Sequence, residues 1–192
     1  RNAGRKAGLL RVVIAMLCAM TAAWRLVMTG IGQVEVKVEG NGFGAEISGV
    51  DLVVGVSAAE FEAIHTAIIR HKVLVFRDQK LDDDSHFTFA QRFGPLEGHI
   101  NTSTRQDRLP KLQVFGNVDA AGNPTGVHPE RGTLVWHTDK SYVAWPSLFT
   151  ILRSPFVARE GGDTCFADMQ RAYESLDAAR AEGLAGLRAV HD

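Results

Sequence analysis

Polar and apolar positions along the first half of the chain fall into periodic stretches bounded by turn residues. "VEVKV" (34–38) alternates with period two, which predicts a strand with one wet face. "GNGFGAEISGVDL" (40–52) is punctuated by glycine, so turns and close backbone approach are expected there. Ser57 with Glu60 three residues later makes a capping box, and Phe61, Ile64, His65 and Ile68 then repeat at helical spacing. That helix should run to about Arg70 and feed "KVLVFRD" (72–78), a short apolar strand. A second helix is predicted to start around Asp82–Asp84, whose carboxylates suit the positive end of the helix dipole. Its apolar residues Phe89, Ala90 and Phe93 should face the core, and Gly94-Pro95 stops it.

Beyond that point the pattern loosens. Residues 97–133 are loop-rich, with "LQVFG" as a candidate strand and "DAAGNPTGVHPERG" as a long excursion of the kind that serves as a lid or mobile segment. "TLVWHTD" and "SLFTILRS" (147–154) both read as strands, and "EGGDTCFAD" (160–168) as a glycine turn followed by a short one. A closing helix begins near Asp168, with Met169, Ala172, Tyr173 and Leu176 at i, i+3, i+4 and i+7. There are no internal repeats and no low-complexity tracts. The pattern as a whole predicts an α+β domain, with two helices early and mostly β afterwards.

The first stretch of chain, "RNAGRKAGLLRVVIAMLCAMTAAWRLVMTG", stands apart. Val12 to Trp24 carries no charge, but its length falls short of the roughly 20 residues that span a bilayer, and Arg11 and Arg25 bracket it. Three readings stay open: an extension ahead of a start at Met28, a signal-like apolar region, or a helix of the fold. Residues 1–33 are therefore set apart from a domain over 34–192.

Composition narrows the partners. With 192 residues, the chain is long enough for one domain with a sizeable core. The 21 basic and 22 acidic residues leave a net charge of −1, so there is no electrostatic case for nucleic acid or an anionic membrane as main partner. Two cysteines, Cys18 and Cys165, are too few for a disulfide framework and suit a reducing compartment, so a cytoplasmic location is expected.

The candidate chemistry centres on "WHTDKSY" (136–142). On a strand, residues i and i+2 share a face, so His137 and Asp139 would set an imidazole and a carboxylate side by side. One nitrogen and one oxygen ligand are two of the three in a 2-His-1-carboxylate iron site. With no cysteine cluster nearby, a tetrahedral structural zinc site is disfavoured. Taken alone, this spacing is better explained by a satisfied surface or core histidine. Of the other histidines, His65 on the apolar stripe should be packed or half-buried, whereas His71 and His86 should be wet. His128 lies in the candidate lid, and His191 takes no ligand role. Trp136 should point to the opposite strand face, into the core, and Tyr142 suits either a pocket wall or the core.

"GAEISGVDL", "RHKVLVFRDQ", "FAQRFGPLEGH", "WHTDKSY…PS" and "EGGDTCFADMQRAYESL" occur in this order and in register. Together they resemble the taurine / 2,4-dichlorophenoxyacetate dioxygenase family of Fe(II)- and 2-oxoglutarate-dependent oxygenases. The resemblance covers about residues 40 to 192. It implies a double-stranded β-helix (jelly-roll) core with flanking helices, and a reaction that uses Fe(II), 2-oxoglutarate and O2. A small organic acid would be hydroxylated with release of succinate and CO2. The resemblance further implies that His137 and Asp139 are iron ligands, that Thr164 bonds a carboxylate of 2-oxoglutarate, and that His99 receives a substrate anion. "GVHPERGTLVWHTDKSY" lies nearer the aryloxyalkanoate branch than the taurine branch. The family also needs a second histidine ligand and a 2-oxoglutarate-binding arginine, both downstream of Asp192. The chain is accordingly expected to be an N-terminal fragment, inactive by itself and lacking the C-terminal part of the core. Homo-oligomerisation stays open. The residues also admit a metal-dependent hydrolase or isomerase, or a non-enzymatic small-molecule-binding β domain.

Overall fold

The computed structural model describes residues 11–16, 34–98, 105–117, 119, 123, 125–126, 134–155, 163–188 and 190. The chain runs β1 (Arg11–Met16), β2 (Glu35–Val38), β3 (Ala45–Ser48), α1 (Ala58–His71), β4 (Val73–Arg77), α2 (Asp83–Gln91), β5 (Phe149–Ser154), α3 (Met169–Glu174) and α4 (Ala178–Leu184). The strands form one five-stranded mixed sheet in the order β2-β3-β4-β1-β5. Only β3 and β4 pair in parallel; the other neighbours are antiparallel.

The first helix forms where its cap signals lie. The Ser57 side chain accepts from the Glu60 amide, and the Glu60 carboxylate accepts from the Ser57 amide at 2.7 Å, which completes the predicted capping box. At the other end Lys72 takes a left-handed conformation (φ 67°) and its amide returns to the Ile68 carbonyl, so the chain leaves α1 directly into β4. The second helix repeats the device with Asp82 as N-cap and Ser85 as its reciprocal partner.

Strand alternation gives the sheet two different faces. Leu74 and Phe76 of β4 are fully buried, and they pack with Ile64 and Ile68 of α1 and Phe89 of α2. Phe149, Ile151 and Arg153 of β5 turn to the same helical side. Phe149 meets Phe93 edge-on at 5.3 Å, and Arg153 donates to the Leu81 carbonyl at 2.6 Å and to the Asp83 carboxylate. Thr150 and Leu152 alternate with these residues and so face the other side. Gln79 ties the glycine-rich segment to this core: its Oε1 accepts from the Leu52 amide at 2.9 Å, and its Nε2 donates to the Val50 and Arg77 carbonyls.

Several expectations change here. Part of the apolar run set apart in residues 1–33 is strand β1, inserted between β4 and β5 in the interior of the sheet. Its Ala15 is buried, opposite Val73 on one side and Thr150 on the other. "TLVWHTD" is not a strand: Trp136–Thr138 has no regular structure and Asp139 begins a turn. "LQVFG" contributes only an isolated bridge, Arg105 to Gln113, and residues 163–168 hold no strand. Among the described residues the chain after α2 therefore adds one strand and two short helices rather than mostly β.

His71 and His86 are buried, not wet. The His71 Nδ1 faces the Gly42 carbonyl at 3.0 Å, and since a carbonyl only accepts, Nδ1 carries the proton. His86 bonds the Ile151 backbone, and its buried Nε2 has no partner among the described residues. Burial, and then the Arg153 charge, hold its pKa below the ordinary imidazole value of 6.5. The native ring is therefore neutral where the unfolded ring takes up a proton. The unfolded state binds more protons below 6.5, so this part of the stability is complete above 6.5 and declines as pH falls towards the lowered native value. Urea titrations between pH 7.5 and 5 should show that decline, and His86→Leu should flatten it.

Candidate metal-ligand turn

The turn carrying His137 and Asp139 crosses the face of the sheet opposite the helices, and strand β5 anchors it. Thr150 donates its hydroxyl to Asp139 Oδ2 at 2.8 Å. On the other residue, His137 Nδ1 lies 2.8 Å from the Val135 carbonyl, two residues back. That carbonyl can only accept, so Nδ1 is protonated and the lone pair of a neutral ring sits on Nε2. Each side chain thus has one polar atom committed to the protein. The remaining atoms, His137 Nε2 and Asp139 Oδ1, face each other at 3.6 Å, and both side chains are a little under half exposed.

Two ligands at the usual bond length of about 2.1 Å each can share one cation across such a gap. The donor set, one imidazole nitrogen and one carboxylate oxygen, suits Fe(II) or Mn(II) better than a thiolate-seeking metal. Among the described residues no group of three or more His, Cys, Asp or Glu side chains could hold a metal ion. The fit is thus to two ligand positions. The orienting contacts from Val135 and Thr150 are of the kind that fix ring tautomer and carboxylate rotamer at metal sites.

Beside this pair lies a second polar cluster. Lys140 follows Asp139 with a left-handed backbone (φ 54°), and its side chain is largely covered. Lys140 Nζ donates to Glu97 Oε2 and to the Gly98 carbonyl at 3.1 Å, while Ser147 Oγ donates to the same carboxylate oxygen at 2.9 Å. The Lys140 bond, with a smaller part from Ser147, holds the Glu97 pKa below the usual carboxylate value. Lys140, Glu97 and Gly98 border a cleft of about 380 Å³ with Tyr142, Val143 and Trp145 on its apolar wall. Lys140, Glu97, Ser147 and Thr150 carried no weight in the sequence reading. Lys140 and Glu97 lie 43 residues apart, and no local motif pairs them.

The remaining candidates stand differently. Thr164 is exposed, in the irregular segment that leads into α3. His99 and His128 lie outside the described residues. Trp136, expected in the core, is 74% exposed, because without a strand there is no alternation to turn it inward.

Comparison with known proteins settles the lineage. The Taurine catabolism dioxygenase TauD, TfdA family matches residues 35–192. The chain belongs to this family. It is 32% identical over 157 residues to the alpha-ketoglutarate-dependent 2,4-dichlorophenoxyacetate dioxygenase of Cupriavidus pinatubonensis, covering 78% of this chain and 55% of that protein. It is 37% identical over 150 residues to the alpha-ketoglutarate-dependent sulfate ester dioxygenase of Pseudomonas putida, covering 77% of this chain and 46% of that protein. Among solved structures, a taurine dioxygenase from Burkholderia xenovorans superposes with a TM-score of 0.63 at 28% identity, over 83% of this chain and 53% of that one. The chain thus spans about half the length of the curated relatives it matches. Strand β1 lies upstream of the family-matching residues. Among the described residues, no helix is long and apolar enough to cross a membrane.

Proposed function

We propose that this chain supplies two iron ligands, His137 and Asp139, to an Fe(II)/2-oxoglutarate-dependent dioxygenase with a double-stranded β-helix core. The substrate is a small organic acid of the aryloxyalkanoate, sulfonate or sulfate-ester class, hydroxylated with release of succinate and CO2, and the location is cytoplasmic. The observation that carries this reading is the convergence of His137 Nε2 and Asp139 Oδ1 at 3.6 Å, each side chain held at its other polar atom. The activities for which the relatives are named support the reaction class and the acidic substrate.

Iron bound at this pair would couple oxidative decarboxylation of 2-oxoglutarate by O2 to oxidation of the substrate. The Val135 carbonyl keeps the His137 proton on Nδ1 and so keeps Nε2 available as a donor. The Thr150 hydroxyl fixes the Asp139 carboxylate, which leaves Oδ1 free to bind. Thr164, a hydroxyl donor two positions after Gly162 in the sequence, is assigned to a carboxylate of 2-oxoglutarate. His99 is assigned to the substrate anion. Residues 34–192 supply the site, and strand β1 from the segment ahead of them completes the sheet that carries it.

The test is succinate formation from 2-oxoglutarate by a protein of the relatives' length that contains this chain. His137→Ala should lower it by about a thousandfold or more, since geometry at a metal centre is lost outright. Succinate release unchanged by His137→Ala contradicts the proposal.

A further inference from the structure

The cleft next to the ligand turn holds one cation with no role so far. Lys140 directly follows Asp139, its side chain is 17% exposed, and its ammonium bonds Glu97 and Gly98, which line the same cleft. Apolar and aromatic surface from Tyr142, Val143 and Trp145 forms the remaining wall. Trp145 is 89% exposed and Tyr142 is 52% exposed, so both present ring surface that nothing in the described chain covers. A single covered cation against an aromatic wall is the arrangement that selects an amphipathic anion: the acid meets the ammonium, and the body stacks on the rings. The position is already occupied by a carboxylate, but one that belongs to the protein.

We propose that Lys140 is a docking cation for the acid group of the substrate, in addition to His99, and that the Glu97 carboxylate is its internal stand-in, displaced when the substrate enters. The proposal rests on the functional reading above only for the acidic class of substrate. Its physical logic is exchange. The Glu97 side chain is already about half exposed, and its carboxylate regains water when it leaves. The incoming acid takes over the charge-assisted bond to Nζ, while its apolar body covers Trp145 and Tyr142. The Gly98 carbonyl keeps one ammonium proton satisfied throughout, so the cation does not move far from Asp139. Ser147, the second donor to Glu97, holds the carboxylate close enough to return when the cleft empties. A substrate of the same shape without the acid has nothing to offer Lys140 and cannot displace Glu97. The pair thereby discriminates on charge.

Binding to the chain without metal or 2-oxoglutarate isolates this step. Phenoxyacetate serves as the probe and 2-phenoxyethanol as its neutral counterpart, both followed on the Trp145 indole resonance. The acid should bind and the alcohol should not. Lys140→Met should weaken the acid about ten- to a hundredfold, the range for losing a bond to a charged group. Lys140→Arg should largely restore it. Glu97→Gln is the decisive variant: it removes the competing carboxylate, so phenoxyacetate should bind several-fold tighter. If Glu97 and Lys140 only brace the turn, Glu97→Gln instead weakens binding or leaves it unchanged, and the proposal falls. Equal binding of acid and alcohol, or no binding of the acid to the wild-type chain, overturns it as well. Mn(II) binding at His137 and Asp139 measured on the same samples separates the two readings. Mn(II) held with no phenoxyacetate bound defeats this inference alone, whereas phenoxyacetate held through Lys140 with no Mn(II) defeats the metal assignment alone.

Discussion

Substituting Ala15 with aspartate is expected to abolish the cooperative unfolding transition of this domain. Ala15 is 4% exposed and sits in the interior strand, opposite Val73 on β4 and Thr150 on β5. A carboxylate placed there meets an apolar neighbour and a hydroxyl already committed to Asp139. An unpaired buried charge costs several kcal/mol, which is comparable with the whole stability of a typical domain at about 5–15 kcal/mol. Removing residues 1–33 should act by a different route with the same outcome. It strips β4 and β5 of their shared partner and leaves facing rows of backbone donors and acceptors unpaired. Circular dichroism melts and size-exclusion profiles check both variants. A truncated chain that melts as sharply as the whole one would mean that β1 is dispensable to the sheet. The same variants bear on the site, because β5 carries the Thr150 hydroxyl that fixes Asp139.

Asp139→Asn should lower Mn(II) affinity by at least about a hundredfold. The substitution keeps shape but removes the anionic oxygen, and a two-ligand site has no reserve. Thr150→Val tests the support beneath it. Without the hydroxyl, Asp139 Oδ2 loses its 2.8 Å donor, and the carboxylate is free to rotate away from His137. Loss of such an orienting contact typically costs about ten- to a hundredfold in metal affinity. Thr150→Ser keeps the hydroxyl and should sit close to wild type. Electron paramagnetic resonance of free Mn(II) reads all three affinities. Thr150→Val indistinguishable from wild type would show that the contact does not set the geometry of Asp139.

Much of the helical layer was legible in the sequence, because its signals are local. Ser57 with Glu60, and Asp82 ahead of an apolar stripe, mark helix starts through bonds that span three residues. "VLVF" declares a buried strand by its apolar run, and "FTIL" a half-buried one. Strand β1 was missed for the same reason that it is central. A strand buried on both faces shows a continuous apolar run rather than alternation, and "RVVIAM" after a basic start looks equally like a leader. The pairing of His137 with Asp139 was legible, but on the wrong scaffold. His137 and Asp139 converge because the Val135 carbonyl and the Thr150 hydroxyl aim them, not because a strand places i and i+2 on one face. Thr150 and Glu97 lie 11 and 43 residues from the residues they hold, Asp139 and Lys140, so spacing along the chain carries no trace of either contact. The buried state of His71 and His86 was hidden likewise, since each is set by a partner from another segment, Gly42 and Ile151.

The claim at the centre of this account is that one divalent cation sits between His137 and Asp139. Paramagnetic broadening by substoichiometric Mn(II), read residue by residue in heteronuclear spectra of the intact chain, tests it most directly. Broadening should concentrate at Trp136 to Lys140 and at Thr150, and be abolished by His137→Ala and by Asp139→Asn. Broadening centred instead on the acidic start of α2 at Asp82–Asp84, and unchanged in both variants, would contradict it.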